Sequence, residues 1–453
     1  MTMTTESLRT IHKTINGDSL TPILIFRRLV GAQKFLLESH DKHDGSGRYS
    51  FIGMDPIKAF RGKGRQLEEY LYKTGKSYTH EGELLTLLKR LMPRITTNID
   101  FPFTGGAVGY VSYEASQKSQ SQSENYDVYF NIYETVIVFD HLMNEVTVLK
   151  TKATVEDTPD SLDTLIEQIT VGNEVEESFA LGQFEATISQ NEFERRVQEG
   201  QKLIAQGQLE QIVLSQKFEA DFTGDAFHVY RQLRKKNPSP YMYYMEMGET
   251  VIVGTSPESL VKVKEGRVIT NPIAGTRKRG KDAVKNVAMV EELLTDEKEL
   301  MEHEMLVTSS WEELTSICDA DSVVVTKDKE VVHYEHVMHL VSEVEGNLSE
   351  GRHPLDALES CLPAGTVTGS PKRVAMDYIT QLEPEPRGIY GGAIGYVGFN
   401  GQIDFALTIR TMTIENGKAS VQAGAGVVAK STPTAEYKET LNKARSLLDI
   451  QKV

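Results

Sequence analysis

Short motifs near the carboxyl terminus carry the residues whose types and spacing are best suited to chemistry. Residues 363–372 read PAGTVTGSPK, and the segments YGGAIGY, IR, AGAG and EYKET follow by residue 440. Glycines such as Gly424 and Gly426 let the backbone come close to a ligand, and the backbone N–H groups beside them can bind anions. Arg410 and Lys443 add cationic donors suited to carboxylates. The motifs therefore predict a site for an anionic small molecule.

Two carboxylates in the last motif suggest a metal ion at the same site. Glu436 and Glu439 lie three residues apart, so a helix would place both on one face. Carboxylate oxygens beside anion-binding groups suit Mg2+, which would bridge the protein to an anionic ligand. A glycine-rich loop and a solvated acidic helix would explain any one of these motifs, but their combination favours a binding site.

Length, charge and cysteine content limit the class of protein. The chain has 453 residues and a net charge of -16, which argues against nucleic acid as a partner. Such a length can bury one large α/β core or two closely packed halves. Cys318 and Cys361 are the only cysteines, which excludes a disulfide framework or a cysteine-rich zinc site. The start MTMTTESL lacks a signal-peptide pattern and no apolar run reaches membrane-spanning length, so we expect a cytoplasmic protein without membrane association.

Hydrophobic periodicity predicts the elements that would position these motifs. Ser189 and Glu192 form a capping-box pattern, and the helical spacing that follows ends at Gly207. Residues 115–125 are polar and low in complexity, which predicts a surface loop. Strands are predicted over 49–53, 134–140, 211–218 and 251–258, and residues 283–318 are predicted to be mostly helical.

An internal repeat predicts the fold. The segment GGAVGYVSY (105–113) is similar to GGAIGYVGF (391–399), and each precedes strand-like sequence. The acidic residues 154–178, with one short helical pattern, connect an N-terminal part, 1–170, to a C-terminal part, 171–453. Chance repetition of a glycine hairpin is the alternative to duplication. We predict an α/β (α+β) fold in which two similar β-rich halves pack as a large sheet sandwich with outer helices.

Longer motifs connect the chain to a known family. From about residue 20 to the carboxyl terminus, the chain resembles the chorismate-utilising enzymes and, within them, the component I branch of anthranilate synthases. The resemblance implies that fold and a reaction on chorismate. It rests on the motifs above and on LLES (36–39), GRYSFIG (47–53), NPSPYM (237–242), GTSPE (254–258) and PIAGTR (272–277).

The resemblance implies how a metal ion and chorismate would be held. One Mg2+ would be bound by Glu302 and Glu439 from two helices, with Glu299 and Glu436 as outer carboxylates. The metal would take the ring carboxylate of chorismate. The implied contacts to the other carboxylate and nearby oxygens, together with the pocket wall, are Gly275, Thr276, Thr366, Tyr390, Arg410, Ala423, Gly424, Ala425, Gly426 and Lys443.

The implied chemistry adds a nucleophile at ring C2 while the C4 hydroxyl leaves. A hydroxyl leaves poorly unless it is protonated, and Glu258 matches the general acid of the family. His339 matches the histidine near the later loss of pyruvate. Taken alone, a single histidine in what looks like an apolar helix is more often structural, so this role depends on the resemblance.

Two positions indicate which nucleophile is used. The water-using branches of the family carry a lysine at the position of Gln211, whereas ammonia needs no strong base. The aminodeoxychorismate synthases carry a nucleophilic lysine where this chain has Ala274. Both positions favour ammonia and anthranilate. The family receives ammonia from a separate glutamine amidotransferase subunit, component II, and neither cysteine here lies in a glutaminase-like turn.

Two further motifs match the regulatory site for L-tryptophan, a feedback inhibitor in this family. LLES lies in the N-terminal part, which would carry half of the site, and NPSPYM lies in the catalytic C-terminal part. The implied contacts are Leu37, Glu38, Ser39, Ser50, Pro240, Tyr241 and Met242.

One segment departs from the anthranilate synthase pattern. Residues 308–314 read TSSWEEL, where DL[AG]RND is usual after EHxMLV, and this resembles the salicylate and isochorismate branches. Trp311, Glu312 and Glu313 replace the usual polar groups. The alternatives that stay open are an aminodeoxyisochorismate synthase, a salicylate or isochorismate synthase, and a catalytically silent tryptophan-sensing homologue.

Overall fold

The computed structural model describes residues 10–39, 46–116, 125–153, 161–173, 178–280, 282–333 and 337–451. Two large antiparallel sheets with helices on their outer faces make up this part of the chain. The strands are β1 (Thr10–Asn16), β2 (Phe35–Glu38), β3 (Tyr49–Gly53), β4 (Lys58–Lys63), β5 (Gln66–Leu71), β6 (Lys76–Glu81), β7 (Gly106–Val111), β8 (Val128–Tyr133), β9 (Thr135–Asp140), β10 (Glu145–Thr151), β11 (Phe179–Leu181), β12 (Glu185–Ala186), β13 (Gln211–Gly224), β14 (Tyr241–Met247), β15 (Thr250–Ser256), β16 (Ser259–Lys264), β17 (Arg267–Thr270), β18 (Ile273–Lys278), β19 (Val324–His333), β20 (Val337–Asn347), β21 (Gly369–Ser370), β22 (Ala393–Gly398), β23 (Ile403–Leu407), β24 (Thr411–Glu415) and β25 (Lys418–Val427).

Helices cover the two sheets and close the ends of the sandwich. They are α1 (Pro22–Arg28), α2 (Leu84–Leu91), α3 (Asp163–Val171), α4 (Gln190–Ala205), α5 (Ala226–Lys236), α6 (Ala283–Thr295), α7 (Glu297–Thr315), α8 (Pro354–Cys361), α9 (Gly365–Thr368), α10 (Lys372–Leu382) and α11 (Pro433–Leu448). Within the described ranges, no helix is both long and apolar enough to cross a membrane.

The strand orders of the two sheets reveal an internal two-fold relation. The first sheet runs β1-β10-β9-β3-β2-β14-β15-β24-β25-β13-β11, with β12 and β21 also paired to β13. The second runs β18-β20-β17-β16-β23-β22-β7-β8-β4-β5-β6, with β19 paired to β20. Outward from the centre of each sheet, a strand of the N-terminal half has a counterpart at the same distance in the C-terminal half. The predicted pair of similar β-rich halves is confirmed as the basis of the fold.

The repeated glycine motif lies at the centre of the second sheet. Its two copies form β7 and β22, which pair with each other, and Gly109 lies directly opposite Gly395. A Cβ atom on Gly109 would lie 1.9 Å from the carbonyl oxygen of Tyr129, and one on Gly395 would lie 2.0 Å from that of Asp404. Only glycine therefore fits at either position.

The sandwich has a core between its sheets and further cores under its helices. Phe35 and Val138 of the first sheet share the central cluster with Tyr110 and Ile394 of the second. Each sheet contains strands from both parts of the chain, 1–170 and 171–453, so the two parts share both sheets. The connector itself is described only in part, where it contains α3.

Several predicted elements are observed where the sequence indicates them. Ser189 caps α4 by accepting a hydrogen bond from the backbone N–H of Glu192, but the Glu192 carboxylate pairs with Arg195 and Arg196 and does not close a capping box. The region 283–318 forms α6 and α7. Of the predicted loop 115–125, residues 117–124 lie outside the described residues.

The helix expected around His339 is wrong. His339 lies on β20, where Met338, Leu340, Ser342 and Val344 are buried and the residues between them are half-buried. This alternation has the two-residue period of a strand with one face against a core.

Candidate active site

A cavity of about 460 Å³ lies between the β13–β25 end of the first sheet, strands β18 and β20, and helices α7 and α11. Most of the predicted catalytic, substrate and metal residues line it: Gln211, Glu258, Gly275, Glu299, Glu302, His339, Thr366, Tyr390, Arg410, Ala423, Gly424, Gly426, Glu436, Glu439 and Lys443. Ala425 does not line it and is fully buried. Thr276 pairs with His339 through the backbone of β18, and its side chain lies outside the described residues.

Glu258 faces this cavity from the turn between β15 and β16. The hydroxyl of Thr366 donates a hydrogen bond to its Oε1 at 2.8 Å. Burial raises the pKa of Glu258 to about 7, although Thr366, Lys443 and Arg410 each favour its charged form. A carboxyl group with this pKa is protonated in a substantial fraction of molecules at neutral pH. It can therefore act as a general acid.

His339 projects into the cavity from β20 opposite the bulge in β18. Its Nδ1 lies 3.0 Å from the carbonyl oxygen of Gly275, which can only accept a hydrogen bond, so Nδ1 carries the proton. Burial lowers the pKa of His339, and Arg410 lowers it further. A neutral imidazole with a proton on Nδ1 has an unprotonated Nε2. Such a group can accept a proton.

The glycines of β25 create room for two polar side chains. A Cβ on Gly424 would lie 2.6 Å from the phenolic oxygen of Tyr390, and one on Gly426 would lie 2.8 Å from Nε2 of Gln211. Gln211 also donates to Oε1 of Glu302 at 3.3 Å. The small residues therefore let Tyr390 and Gln211 reach the cavity, and Gln211 places a neutral amide beside a glutamate on α7.

The cationic side chains of the cavity come from two parts of the chain, Arg410 from the connection between β23 and β24 and Lys443 from α11. Arg410 has a φ of +50°, a left-handed conformation that costs a non-glycine residue about 1 kcal/mol or more. Lys443 on α11 forms an ion pair with Glu439 at 2.8 Å, one turn earlier. Both cations contribute positive charge near Glu258 and are suited to a carboxylate of the ligand.

The four glutamates meet across the cavity from two helices. Glu299 and Glu302 lie on α7, and Glu436 and Glu439 lie on α11, each pair three residues apart. In the described part of the chain, no three His, Cys, Asp or Glu side chains stand close enough to bind a metal alone. Mg2+ often takes only one or two protein carboxylates and completes its shell with water and substrate oxygens. The donor set therefore fits Mg2+ held jointly with an anionic substrate.

Behind Tyr390, a buried ion pair organises the cavity wall. Arg387 donates to both carboxylate oxygens of Glu383, at 2.7 and 2.9 Å, and to the carbonyl oxygens of Val213 and Val367. Its guanidinium lies 5.7 Å from the ring centre of Tyr390. No motif in the sequence analysis identified this pair, although its i,i+4 spacing is visible in the sequence.

A second cavity, of about 420 Å³, lies between the sheets where β2 pairs with β14. Six of the seven predicted regulatory residues line it: Leu37, Glu38, Ser39, Pro240, Tyr241 and Met242. Ser50 lies behind them, and its hydroxyl is 3.4 Å from Glu38 and 2.8 Å from Nε2 of His141. The two motifs that are distant in sequence thus form one site.

Glu38 is held firmly at the wall of this second cavity. Its carboxylate accepts hydrogen bonds from the hydroxyl of Tyr230 at 2.5 Å and from Nε of Arg234 at 2.8 Å, both on α5. The side chain is 2% exposed. These contacts join β2 of the N-terminal part to a helix of the C-terminal part.

A charged pair in the second cavity is not among the residues predicted from the sequence. Lys262 and Asp404 line it 3.5 Å apart, and the hydroxyl of Tyr241 donates to Asp404 at 2.8 Å. Aromatic and aliphatic side chains form much of the remaining wall. Opposite charges beside an apolar wall suit a small zwitterion with an apolar body. Only the fold brings Lys262 and Asp404 together, so no local sequence signal could reveal them.

The two cavities share part of their walls. Pro257 and Ile273 line both of them, and Pro257 directly precedes Glu258. A ligand in the second cavity would therefore contact the segment that carries Glu258.

Known proteins give a consistent comparison. Residues 33–449 match the family described as chorismate binding enzyme. The chain is 38% identical to anthranilate synthase component 1 of Lactococcus lactis subsp. lactis, over 97% of this chain and 99% of that protein. It is 40% identical to the protein of the same name from Bacillus subtilis, over 97% and 91%. A crystal structure of anthranilate synthase component I from Streptococcus pneumoniae superposes with a TM-score of 0.82 at 36% identity, covering 96% of this chain and 98% of that one.

Proposed function

Because the chain belongs to the chorismate-binding enzyme family and is an enzyme acting on chorismate, we propose that it is component I of an anthranilate synthase in tryptophan biosynthesis. The reaction converts chorismate and ammonia to anthranilate, pyruvate and water. The observation that carries this proposal is the neutral amide of Gln211 beside Glu302 and Gly426. Among the described residues that line the cavity, Lys443 is the only lysine, and it is paired with Glu439.

In the first step, the acid acts at the C4 oxygen of chorismate and the nucleophile acts at C2. Glu258 gives its proton to the C4 oxygen of chorismate, which leaves as water while ammonia forms a bond to C2, and the resulting ammonium group then releases one proton to water. Thr366 holds the Glu258 carboxyl in place. Gln211 orients ammonia through a hydrogen bond and takes up no proton, which agrees with an amine and not with water as nucleophile.

The second step restores the aromatic ring. His339 accepts the proton from C2, the C3–O bond breaks, and the side chain leaves as enolpyruvate, which becomes pyruvate after protonation. Arg410, Tyr390 and the backbone of β25 bind the enolpyruvyl carboxylate. Mg2+, held by Glu302 and Glu439 with Glu299 and Glu436 behind them, would neutralise the ring carboxylate.

Ammonia and regulation complete the proposal. We propose that a glutamine amidotransferase subunit, component II, supplies ammonia, as the name component 1 of the relatives implies a second component. L-Tryptophan would bind in the second cavity as a feedback inhibitor. The Lys262–Asp404 pair supports this, because it offers charges for both ends of an amino acid beside an apolar wall.

Product analysis tests the proposal. The full chain is incubated with chorismate, Mg2+ and an ammonium salt, and the products are separated and identified by mass. We expect anthranilate and pyruvate in equal amounts, and no anthranilate when glutamine replaces ammonium without a partner subunit. Aminodeoxyisochorismate without pyruvate would identify the amine-adding alternative. Isochorismate or salicylate would identify the water-using branches, and unchanged chorismate would identify a silent homologue.

A further inference from the structure

The face of α7 that carries Glu302 continues beyond the active-site cavity. Residues 299, 302, 306, 309 and 313 follow steps of three and four, so they form one stripe along the helix. Its first three members line the active-site cavity. Ser309 and Glu313 line a smaller cavity of about 50 Å³, which also touches Glu258 and Thr366.

Glu313 belongs to the segment in which this chain departs from its relatives' pattern. Trp311 and Glu312 are exposed, whereas Glu313 turns inward. Its Oε1 accepts a charge-assisted hydrogen bond from Nζ of Lys372 at 2.6 Å and another from the hydroxyl of Ser309 at 3.1 Å. Burial raises the pKa of Glu313, although Lys372 beside it opposes this rise.

Glu313 holds both ends of one loop. At the start of the loop, the hydroxyl of Ser360 donates to the backbone oxygen of Glu313 at 2.8 Å, and the thiol of Cys361 contacts the Glu313 carboxylate. At the end of the loop, Lys372 forms the ion pair and begins α10. The segment 361–372 is therefore fastened at each end to a single residue of α7.

This loop carries groups that the proposed first step needs. The hydroxyl of Thr366 donates to Glu258, and Gly369 and Ser370 pair as β21 with Ile212 and Gln211 of β13. Among these contacts of Glu313, Lys372 is the only charged side chain. The side chain of Lys372 is about a quarter exposed. Movement of the loop would disturb the partner of Glu258 and the backbone behind Gln211 together.

We propose that Glu313 is a positioning residue for the reaction on chorismate, which fixes the loop 361–372 through Lys372 so that Thr366 stays bonded to Glu258. This inference rests on the proposed role of Glu258 as the general acid. Glu313 itself touches no reacting atom. The segment 308–314 thus contains one inward-facing carboxylate with a defined task.

The first test separates positioning from binding. Glu313→Gln and Lys372→Met are compared with Glu312→Gln, a matched change of the exposed neighbour, by following loss of chorismate. We expect kcat to fall about 10- to 100-fold in the first two, because a displacement near 1 Å has effects of this size. KM for chorismate should stay near the wild-type value, since Arg410 and the glutamates are untouched. Glu312→Gln should match wild type.

Two further readouts exclude a general loss of structure. Thr366 favours the charged form of Glu258, so loss of that bond raises the pKa of Glu258, on which Arg410 and Lys443 also act. The high-pH limb of kcat should therefore move upward in Glu313→Gln, by the same amount as in Thr366→Val. The double variant Glu313→Gln/Lys372→Met should be no slower than the slower single variant, because each substitution breaks the same Glu313–Lys372 contact.

Defined results would overturn the proposal. It is wrong if Glu313→Gln equals Glu312→Gln in kcat and pH profile, or if the two changes multiply in the double variant. If Glu313→Gln does not fold, Lys372→Met and its pH profile decide alone. Because chorismate loss is measured whatever the product, a wild type that makes another product contradicts the proposed function and leaves this test intact.

Discussion

Burial is the property that suits Glu258 to hold a proton at neutral pH. Its carboxyl group is flanked by one hydroxyl donor and by two cations, all of which favour the charged form, yet its pKa is raised to about 7. The cost of removing the charge from water is therefore the dominant effect. His339 shows the same effect with the opposite sign, because burial lowers its pKa and keeps it neutral. One cavity thus contains a proton donor and a proton acceptor.

The first prediction concerns Glu258→Gln. We expect kcat to fall by about 10²–10⁴, the usual contribution of a general acid, and wild-type kcat to decline as the pH rises above about 7. The folded pKa lies above the unfolded one, so ionisation of Glu258 weakens wild-type stability progressively between about pH 4.5 and 7. The Tm of Glu258→Gln relative to wild type should therefore be higher at pH 8 than at pH 5. An equal Tm difference at both pH values would contradict the raised pKa.

At this scale the sequence predicts members of the site but not their contacts. Glu258, Thr366 and Gln211 could each be named from short motifs. The bond between Thr366 and Glu258 spans 108 residues, and the Gln211–Glu302 bond spans 91, so no local pattern contains them. Ala425 adjoins Gly424 and Gly426 in the sequence motif, but it is fully buried and does not line the cavity.

Two helices and a sheet end define the site at the scale of elements. α7 and α11 present their glutamates from opposite sides, and the β13–β25 pair supplies the floor, on which Gly424 and Gly426 leave space for polar side chains. α7 lies within the region 283–318 that is predicted to be mostly helical, and the spacing of Glu436 and Glu439 suggests the helix that α11 forms. The strand β20 was not recognised, although the alternation of buried residues at 338, 340, 342 and 344 has the period of a strand.

The second prediction tests whether the glutamates of α7 and α11 bind one metal ion together. Glu302→Gln and Glu439→Gln should each weaken Mg2+ binding at least about 10-fold and abolish most turnover, because each removes one negative oxygen ligand. Mg2+ affinity is measured by calorimetric titration of the folded variants. Glu304→Gln on the exposed side of α7, where Glu304 pairs with Lys329, is the matched control. If both Glu302→Gln and Glu439→Gln keep the wild-type affinity for Mg2+, the metal does not bind at this site.

At the scale of the whole molecule, the second cavity lies where the two halves meet. β2 and β14 form its floor at the centre of the first sheet, and Pro257 and Ile273 separate it from the catalytic cavity. The two sequence motifs come together at this cavity because they lie at these two paired strands. The Lys262–Asp404 pair and the shared walls depend on the packing of the second sheet, which the motifs do not contain.

The third prediction concerns regulation by L-tryptophan. We expect it to inhibit wild type, and chorismate to weaken tryptophan binding by the same factor, since such coupling is reciprocal and typically about 1–3 kcal/mol. Ser39→Phe and Met242→Thr should reduce inhibition more than they reduce kcat. Activity is measured against tryptophan concentration for the three proteins. A wild type that is indifferent to millimolar tryptophan would refute the regulatory site, and identical inhibition of all three proteins would move it elsewhere.

The pairing of β7 with β22 has a consequence for folding during translation. Gly109 pairs with Gly395, and Leu37 pairs with Tyr243. The strands β7 and β2 of the N-terminal half therefore pair with strands that are synthesised much later. At a ribosomal rate of about 5–20 residues per second, β7 leaves the ribosome about 15–60 s before β22. During that interval its glycine-rich edge is open to pairing with other nascent chains. The yield of correctly folded protein should therefore depend on chaperones that shield this edge during translation.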